Sequence, residues 1–333
     1  MDLEFLCFRA NVLRLIRSFF DGKAYLEVDT PVLAPDLIPE SCLEAFETSC
    51  LTPGGQGRLK KKPYWLVPSP EIWMKKLISR HRKSMYQIGK CFRNGESTGF
   101  LHSPEFTMLE YYTMDFNYLD SLNLTEELFG ALGKELSREE TGNLFKTSFL
   151  RMTMEEAFKE FAGIDLYARS EAGALNEDAR RLGLDVPLGL DTQAFYDLIF
   201  IHAVESRLPK DRIVALLDYP AFAPCLAKKG KDGKTMERWE LYGCGVELAN
   251  CFTEENDGEE VKRYFEAEGK IKNKSALVPH LIDGDYWKLF AANQGFPPCS
   301  GVAMGVDRLI MALSGRKCID EVLPFPMEEA DPK

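Results

Sequence analysis

Arg93 and Phe106 are the first two residues in the sequence whose types and spacing suit a defined chemistry. Arg93 follows an apolar, β-prone run at 84–92, and Phe106 opens a second such run at 106–112, beyond a segment at 94–99 that is dense in turn formers. This pattern predicts a β-hairpin with Arg93 at the end of its first strand. The forked, permanently charged guanidinium suits a phosphate group, and the flat ring of Phe106 suits a stacked purine. The alternative for Arg93 is a solvated residue at the rim of a sheet.

A second hairpin is predicted at 239–254, and it brings Glu240 and Glu247 together. If Gly243 and Cys244 form a two-residue turn, Glu240 lies directly opposite Glu247. Like charges in that arrangement are destabilising unless a cation lies between them, so the pair is a candidate cation site. A pair of exposed glutamates that splay into water is the alternative.

The same hairpin poses a problem of side-chain direction. Asn250 and Glu254 are four residues apart and share one face of the strand, whereas strict alternation puts Glu247 on the opposite face. A twist or a β-bulge must bring the three residues together, or one of them lies outside the site. The sequence therefore predicts an irregularity in this strand if the three residues act together.

Two segments have the composition of a helix start beside a ligand. Ser69 can cap a helix, Pro70 suits its first turn, and Glu71 interacts favourably with the helix dipole there. Helix initiation alone would explain these three residues. Near the C-terminus, Gly305 leaves room for the close approach of a ligand, and Arg308 at a helix start can reach a phosphate.

Composition limits the classes of protein to consider. The 333 residues are 45% hydrophobic, which is ample for a packed core, and the net charge of -11 gives no overall attraction to a nucleic acid. The nine cysteines show no CxxC pair and no ligand-like spacing with the histidines, so neither a zinc site nor a disulfide framework is expected. No apolar run approaches the ~20 residues of a membrane span, and Asp2 and Glu4 argue against a transit peptide. We therefore expect a cytoplasmic protein.

The elements that must position the candidate residues follow from periodicity and turn signals. The glycine-containing stretch 51–62, which ends in three lysines, predicts a mobile loop, and segment 119–216 predicts helices without a catalytic motif. A helix is predicted over 3–20, ended by Asp21 and Gly22. Its buried face is predicted to carry the apolar residues at helical spacing, which are Leu6, Leu13, Ile16 and Phe20.

Three motifs, in order along nearly the whole chain, carry a family resemblance. Residues 92–94 followed by 102–110 resemble motif 2 of the class II aminoacyl-tRNA synthetases in its lysyl form. Residues 25–33 resemble motif 1, and residues 301–309 resemble motif 3. By appearance, the chain is most similar to the short lysyl-tRNA synthetase paralogues that lack the anticodon-binding domain and attach lysine or β-lysine to elongation factor P.

This resemblance implies a fold, cofactors and an assembly. It implies an α+β fold, in which a mixed, mostly antiparallel sheet is flanked by helices. A single catalytic domain would span 1–333, with a largely helical insertion at about 119–216. ATP and Mg²⁺ are the implied cofactors, and motif 1 supplies the interface of a homodimer in this family.

The resemblance also implies roles for individual residues at the nucleotide. Arg93 would bind the α-phosphate of ATP, Arg308 the γ-phosphate, and Phe106 would stack on adenine. Glu240 and Glu247 match the magnesium-binding carboxylates of lysyl enzymes. Further contacts with ATP are implied for Asn94, Gly95, Glu96, Ser103, Glu247, Leu248 and Gly305.

For the amino acid, the resemblance implies a set of polar contacts. Glu71 would receive a substrate amino group, Glu254 would bind the ε-ammonium of lysine, and Tyr112 would assist by hydrogen bonding. A buried carboxylate that faces an amine selects lysine over neutral side chains of equal length. The other residues of this set are Ser69, Pro70, Asn250 and Ala303.

The chain departs from the lysyl pattern at three places. Gly95 stands where the family usually has Glu, so the adenine-contacting carboxylate is Glu96 or is absent. Ser103 replaces the usual Asn, which weakens the case for that ATP contact. Ala303 stands where lysyl-tRNA synthetases commonly have Gly, and the short paralogues share the Ala. Its methyl group would favour a shifted amino group, as in β-lysine, by ~1–3 kcal/mol.

The acceptor distinguishes the functions that remain open. We expect transfer to a lysine side chain of elongation factor P and no aminoacylation of tRNA. Motif 1 closes by Leu33, which leaves no room before it for the anticodon-reading barrel of lysyl-tRNA synthetases. A truncated lysyl-tRNA synthetase and a non-catalytic regulatory paralogue are the alternatives, and retention of the phosphate-binding arginines and amine-binding glutamates argues against the second.

Overall fold

The computed structural model describes residues 1–54, 58–95, 100–136, 144–145, 147–291 and 295–327. The helices are α1 (Leu3–Gly22), α2 (Glu71–His81), α3 (Tyr118–Leu136), α4 (Met154–Ala157), α5 (Ala172–Arg181), α6 (Thr192–Ile199), α7 (Gly258–Ser275), α8 (Lys288–Ala291) and α9 (Val306–Ser314). The strands are β1 (Leu26–Glu27), β2 (Leu33–Ala34), β3 (Phe46–Pro53), β4 (Leu59–Leu66), β5 (Met85–Phe92), β6 (Glu105–Met114), β7 (Leu150–Thr153), β8 (Val214–Pro220), β9 (Thr235–Gly243), β10 (Val246–Thr253) and β11 (Cys299–Gly305).

One large sheet organises the molecule. Among the described residues it contains eight strands in the order β1-β5-β6-β11-β10-β9-β8-β7. The pairs at its two edges, β1-β5 and β7-β8, are parallel, and the pairs between them are antiparallel. A smaller antiparallel sheet has the order β2-β4-β3. The predicted α+β fold with a mixed, mostly antiparallel sheet is confirmed.

Helices cover both faces of the large sheet, and side chains of the central strand β6 pack against helices on each face. Leu109 and Tyr111 are buried in a core that includes residues of α1, α3 and α9. Tyr112 belongs to a different core, which includes residues of α2, α7 and α8. Because side chains alternate along a strand, the two cores lie on opposite faces of the sheet. No helix in the described part of the chain is both long enough and apolar enough to cross a bilayer.

The first helix forms as predicted, but its buried face is rotated. The Asp2 carboxylate caps it by accepting a hydrogen bond from the Phe5 amide at 2.7 Å. The prediction that Leu6 is buried is wrong, because this side chain is 39% exposed. Arg9 points inward instead, drawn by an ion pair of 2.6 Å with Asp307. The buried residues are Phe5, Arg9, Val12, Ile16 and Phe20.

The stretch predicted as a mobile loop, 51–62, contains much of a β-hairpin. Cys50 pairs with Lys62 and Thr52 pairs with Lys60, so the three lysines lie in β4 and the loop prediction is wrong for them. Their side chains are exposed. Backbone pairing with β3 therefore overrides the local turn and charge signals.

Segment 119–216 is mainly helical but contributes a strand that was not predicted. β7 pairs in parallel with β8 and so extends the large sheet. At the start of the segment, α3 packs into the same core as α1. Residues from Met152 onward form a separate core, which includes Phe158 and Tyr196. The segment is thus attached to the catalytic sheet through a strand as well as through helices.

Candidate active site

A cavity of about 520 Å³ lies where β6, β9, β10 and β11 meet segment 40–43 and the starts of α2 and α9. Most of the residues singled out from the sequence line this cavity. They are Glu71, Arg93, Ser103, Phe106, Glu240, Glu247, Leu248, Asn250, Ala303, Gly305 and Arg308. Four strands and two helix starts therefore bring together residues that lie up to 237 positions apart, from 71 to 308.

The hairpin predicted around Arg93 is confirmed. β5 and β6 pair continuously from Met85 with Tyr112 to Phe92 with Glu105. Directly after β5, the Arg93 amide donates to the carbonyl of Pro104 at 2.9 Å. The Cζ atom of the Arg93 guanidinium lies 5.2 Å from the centroid of the Phe106 ring, within cation-π range. The side chains singled out for a phosphate and for a purine are therefore neighbours.

The residues after Arg93 make backbone contacts beside the cavity. The Asn94 amide donates to the carbonyl of Glu44 at 2.8 Å, and its Nδ2 donates to the carbonyl of Ala45 at 3.3 Å. The Gly95 amide donates to the Asn94 side chain at 2.9 Å. Asn94 thus anchors the end of the hairpin to the segment that leads into β3. Glu96, the candidate adenine contact, lies outside the described residues.

Arg308 lies in the first turn of α9, as predicted. Its Nη1 donates to the Glu247 carbonyl at 3.0 Å and lies 3.7 Å from the Glu247 carboxylate. Its Nε donates to the Leu101 carbonyl at 3.2 Å. The neighbouring Asp307 accepts a hydrogen bond from the Thr107 amide at 2.7 Å, which fixes the start of α9 against β6. Arg308 is thereby held at the cavity wall.

The predicted turn of the second hairpin is wrong by one residue. Gly243 pairs with Val246, so the turn residues are Cys244 and Gly245, both of which have positive φ, at 55° and 80°. Positive φ at both central positions is the geometry of a type I′ turn, which Gly245 adopts readily. Glu247 is consequently opposite Tyr242 and not opposite Glu240.

Strand β10 contains a β-bulge between Glu247 and Ala249. Such an irregularity is what Glu247 and Asn250 need if their side chains are to point the same way. Beyond this bulge, Glu240 is opposite Asn250. Glu247 and Asn250 both line the cavity. The predicted irregularity is therefore present, and it places these two side chains on the same side of the strand.

The fit of the two glutamates to a divalent cation is partial. One carboxylate oxygen of Glu240 accepts hydrogen bonds from the hydroxyls of Tyr219 and Tyr242, both at 2.6 Å, and the other is paired with Arg238. Burial, followed by the charge of Glu240, raises the pKa of Glu247 to about 7. A cation would relieve that repulsion. The described residues contain no cluster of three or more metal-ligating side chains, so phosphate oxygens or water would have to complete the coordination.

Glu71 and Glu254, the two glutamates that the resemblance assigns to substrate amines, both contact a residue that was not singled out from the sequence, Lys75. The Lys75 ammonium lies 2.6 Å from the carboxylates of both Glu71 and Glu254, and its side chain is 1% exposed. Burial alone would lower the pKa of Lys75, but Glu254 and Glu71 hold it well above its usual value. The i, i+4 spacing of Glu71 and Lys75 on one helix predicts the first of these two ion pairs, but not the pair with Glu254.

Glu110 is a second residue that the sequence analysis did not single out. It is buried, and one of its oxygens accepts a hydrogen bond from the Tyr112 hydroxyl at 2.7 Å. Its other oxygen has no hydrogen-bond partner within the described residues. Burial, followed by the charge of Glu71, raises the pKa of Glu110 to about 8. The alternation of Glu110 and Tyr112 on β6 predicts that both point the same way.

Strand β11 has a glycine, Gly301, where the Glu254 carboxylate and the Tyr112 ring approach its backbone. Gly301 pairs with Tyr112, and Ala303 pairs with both Glu110 and Asn250. A Cβ atom at Gly301 would collide with the Glu254 carboxylate and the Tyr112 ring. A side chain at this position is therefore incompatible with the observed positions of Glu254 and Tyr112.

Ser69 and Pro70 precede α2 and do not line the cavity. Pro70 is the residue before the first helical position, and no side chain caps this helix end, so the prediction that Ser69 caps it is wrong. The Pro70 carbonyl accepts hydrogen bonds from the amides of Trp73 and Met74 at 3.0 and 2.9 Å. These residues set the direction of α2, which in turn places Glu71 at the cavity.

Comparison with known proteins agrees with this geometry. The family described as tRNA synthetases class II (D, K and N) matches residues 3–329. A protein of Avibacterium paragallinarum named elongation factor P--(R)-β-lysine ligase is 37% identical over 330 residues, which cover 99% of this chain and 97% of the relative. Relatives of the same name from Photobacterium profundum and Hamiltonella defensa are 36% and 34% identical, each over 97% of this chain and over 95% and 94% of their own lengths. The chain belongs to the class II tRNA synthetases (D, K and N).

Proposed function

We propose that the protein activates lysine or (R)-β-lysine with ATP and transfers the aminoacyl group to a lysine side chain of elongation factor P. The observation that carries this proposal is the charge arrangement of the cavity. Arg93 and Arg308 line it together with Phe106, and Glu71 connects it to the buried Glu254. A substrate that carries amines at one end and reacts with a triphosphate at the other matches this arrangement, and the names of the relatives point to the acceptor.

Adenylation follows from positioning and charge. The carboxylate of the amino acid is already a nucleophile, so this step needs no general base. Arg93 binds the α-phosphate, where negative charge develops, and Arg308 binds the γ-phosphate of the leaving pyrophosphate. Phe106 stacks on adenine, and the polar residues around Ser103 and Asn94 orient the nucleotide. Glu71, Glu254 and Tyr112 hold the amines of the substrate.

Magnesium, when bound, neutralises charge on the triphosphate and assists the departure of pyrophosphate. Glu247 is the carboxylate best placed to hold the ion, because its side chain is 40% exposed and it lines the cavity. Glu240 contributes a second ligand if Arg238 and the two tyrosine hydroxyls release one of its oxygens. The ion would favour the charged form of Glu247 near neutral pH.

We also propose that the protein is a cytoplasmic homodimer. All nine cysteines are free, as expected in a reducing compartment. Exposed leucine and valine side chains of α1 and motif 1 support the dimer, because such a patch is otherwise unfavourable in water. These residues are Leu3, Leu6, Leu26, Val32 and Leu33.

The acceptor is tested directly by transfer. Enzyme, ATP and labelled lysine or (R)-β-lysine are incubated with purified elongation factor P and, separately, with lysine tRNA. We expect label on the protein, and none when its acceptor lysine is replaced by arginine. The net charge of -11 gives no general attraction to a polyanion, so little label is expected on the tRNA. Label on tRNA with none on elongation factor P would favour the truncated lysyl-tRNA synthetase.

A further inference from the structure

A further carboxylate lies on the cavity wall and has no part in adenylation. Glu40 belongs to segment 40–43, which lines the cavity together with Glu71 and Arg93. Within the described residues, its carboxylate forms no side-chain hydrogen bond or ion pair. A carboxylate that faces a binding cavity without a fixed partner is free to exchange a proton with a bound group.

The segment that carries Glu40 is held on two sides. The Ser41 amide donates to the carboxylate of the buried Glu268 on α7 at 3.1 Å, and Lys272 of the same helix donates to the carbonyl of Leu43. On the other side, Glu44 forms an isolated bridge with Asn94, the residue after Arg93. These contacts fix the position of Glu40 relative to both α7 and the end of β5.

The charges that act on Glu40 belong to residues at both ends of the site. Burial, followed by the charge of Glu71, raises the pKa of Glu40 to about 7, whereas Arg93, Lys75 and Lys272 act in the opposite direction. Cys42 on the same segment remains a thiol at neutral pH, because burial and Glu40 raise its pKa to about 11. Glu40 is thus near the proposed amine-binding Glu71 and the proposed phosphate-binding Arg93.

The transfer step requires a base, unlike adenylation. A lysine acceptor has a pKa of ~10.4 and must lose a proton before its nitrogen can attack. The nitrogen then forms a bond with the carbonyl carbon of the adenylate, and the bond between that carbon and the phosphate oxygen breaks. AMP departs with the bonding electron pair, and the nitrogen loses its second proton to the departing phosphate or to water.

We propose that Glu40 is the general base that takes the first proton from the acceptor lysine. The reacting carbonyl must lie between an amine held at Glu71 and a phosphate held at Arg93, and Glu40 lines the same cavity as both residues. This inference rests on the proposed function, because it assigns the base to a lysine acceptor, whose amine is protonated at neutral pH.

Replacement of Glu40 by glutamine separates the two half-reactions. Glu40→Gln should retain lysine-dependent ATP-pyrophosphate exchange but lower transfer to elongation factor P by ~10²-fold or more. Only the ionised carboxylate accepts a proton, so wild-type transfer should rise as pH passes about 7 and then level off. In Glu40→Gln, transfer should continue to rise with pH as the acceptor amine loses its proton to solvent.

Hydroxylamine provides a control acceptor, because it is largely unprotonated at neutral pH and needs no base. Glu40→Gln should form the hydroxamate at the wild-type rate, and Glu40→Asp should recover part of the transfer. Glu47→Gln, the same substitution at an exposed position of β3 outside the cavity lining, should behave as wild type. Equal losses of exchange and transfer in Glu40→Gln, or transfer at the wild-type rate, would overturn the assignment. Absence of lysine-dependent exchange in the wild type would instead refute the proposed function.

Discussion

At the scale of single residues, Lys75 offsets the negative charge of the two glutamates that are proposed to bind the substrate amines. Its ammonium is shared between Glu71 and Glu254, which are both buried or nearly so. Burial raises the pKa of Glu254 to about 7, and Lys75 opposes that rise. Loss of the lysine would therefore raise the pKa of Glu254 further. With Lys75 present, Glu254 more readily keeps the negative charge that the proposed substrate ammonium requires.

Replacing Lys75 by methionine should destabilise the protein in a pH-dependent way. Removal of one partner from a buried ion pair costs about 3–5 kcal/mol, because a buried charge is left without compensation. A carboxyl group whose pKa is raised in the folded state stabilises the fold only while it is protonated. Lys75 lowers the pKa of Glu254 from an otherwise higher value, so the stability of Lys75→Met should fall as pH rises from about 4.5 to above 7. Urea unfolding at pH 5 and pH 8 measures this difference.

Lys76 offers a matched control on the same helix. Its ammonium forms an ion pair with Asp283 at 2.6 Å, but its side chain is 25% exposed. Pairs of this kind contribute about 0–1 kcal/mol. Lys76→Met should unfold close to the wild type at both pH values. If the two variants lose equal stability, the buried position of Lys75 is not the reason for its effect.

At the scale of elements, local patterns predicted much of the fold but not its registers. The helix at α1 and the hairpin β5-β6 follow from periodicity and turn residues, which act over a few positions. The turn at Cys244 was misplaced because the choice between adjacent turns depends on backbone φ, which composition does not specify. The Arg9 contact with Asp307 joins distant parts of the chain, so helical periodicity alone could not predict the rotation of α1.

The exposed apolar face of α1 and motif 1 leads to a prediction about assembly. If this face forms a two-fold interface, Leu26→Glu should place a charge in it and shift the protein toward the monomer. Sedimentation equilibrium should give twice the mass of one chain for the wild type and a lower mass for the variant. Leu188→Glu is the control, because Leu188 is 95% exposed outside this face. A wild-type protein that remains monomeric at high concentration would contradict the proposed dimer.

At the scale of the whole molecule, the large sheet brings distant motifs to one cavity. Motifs 2 and 3 each supply residues that line this cavity, because each motif is a continuous run of residues, whereas motif 1 supplies none. Lys75, Glu110 and Glu40 were not singled out, because their importance depends on which charges surround them after folding. The pKa values of the two glutamates are raised mainly by burial, which is a property of the complete fold.

The most direct test of the central claim is ATP-pyrophosphate exchange with defined amino acids. If Glu71 and Glu254 select ammonium groups, as proposed, the cavity should support exchange with lysine or (R)-β-lysine but not with norleucine, which has a side chain of similar shape without the amine. Arg93→Ala should lower the exchange rate by ~10²-fold or more, as expected for the loss of a donor that stabilises developing charge. Exchange with norleucine at the rate of lysine, or exchange that is unchanged in Arg93→Ala, would contradict the account.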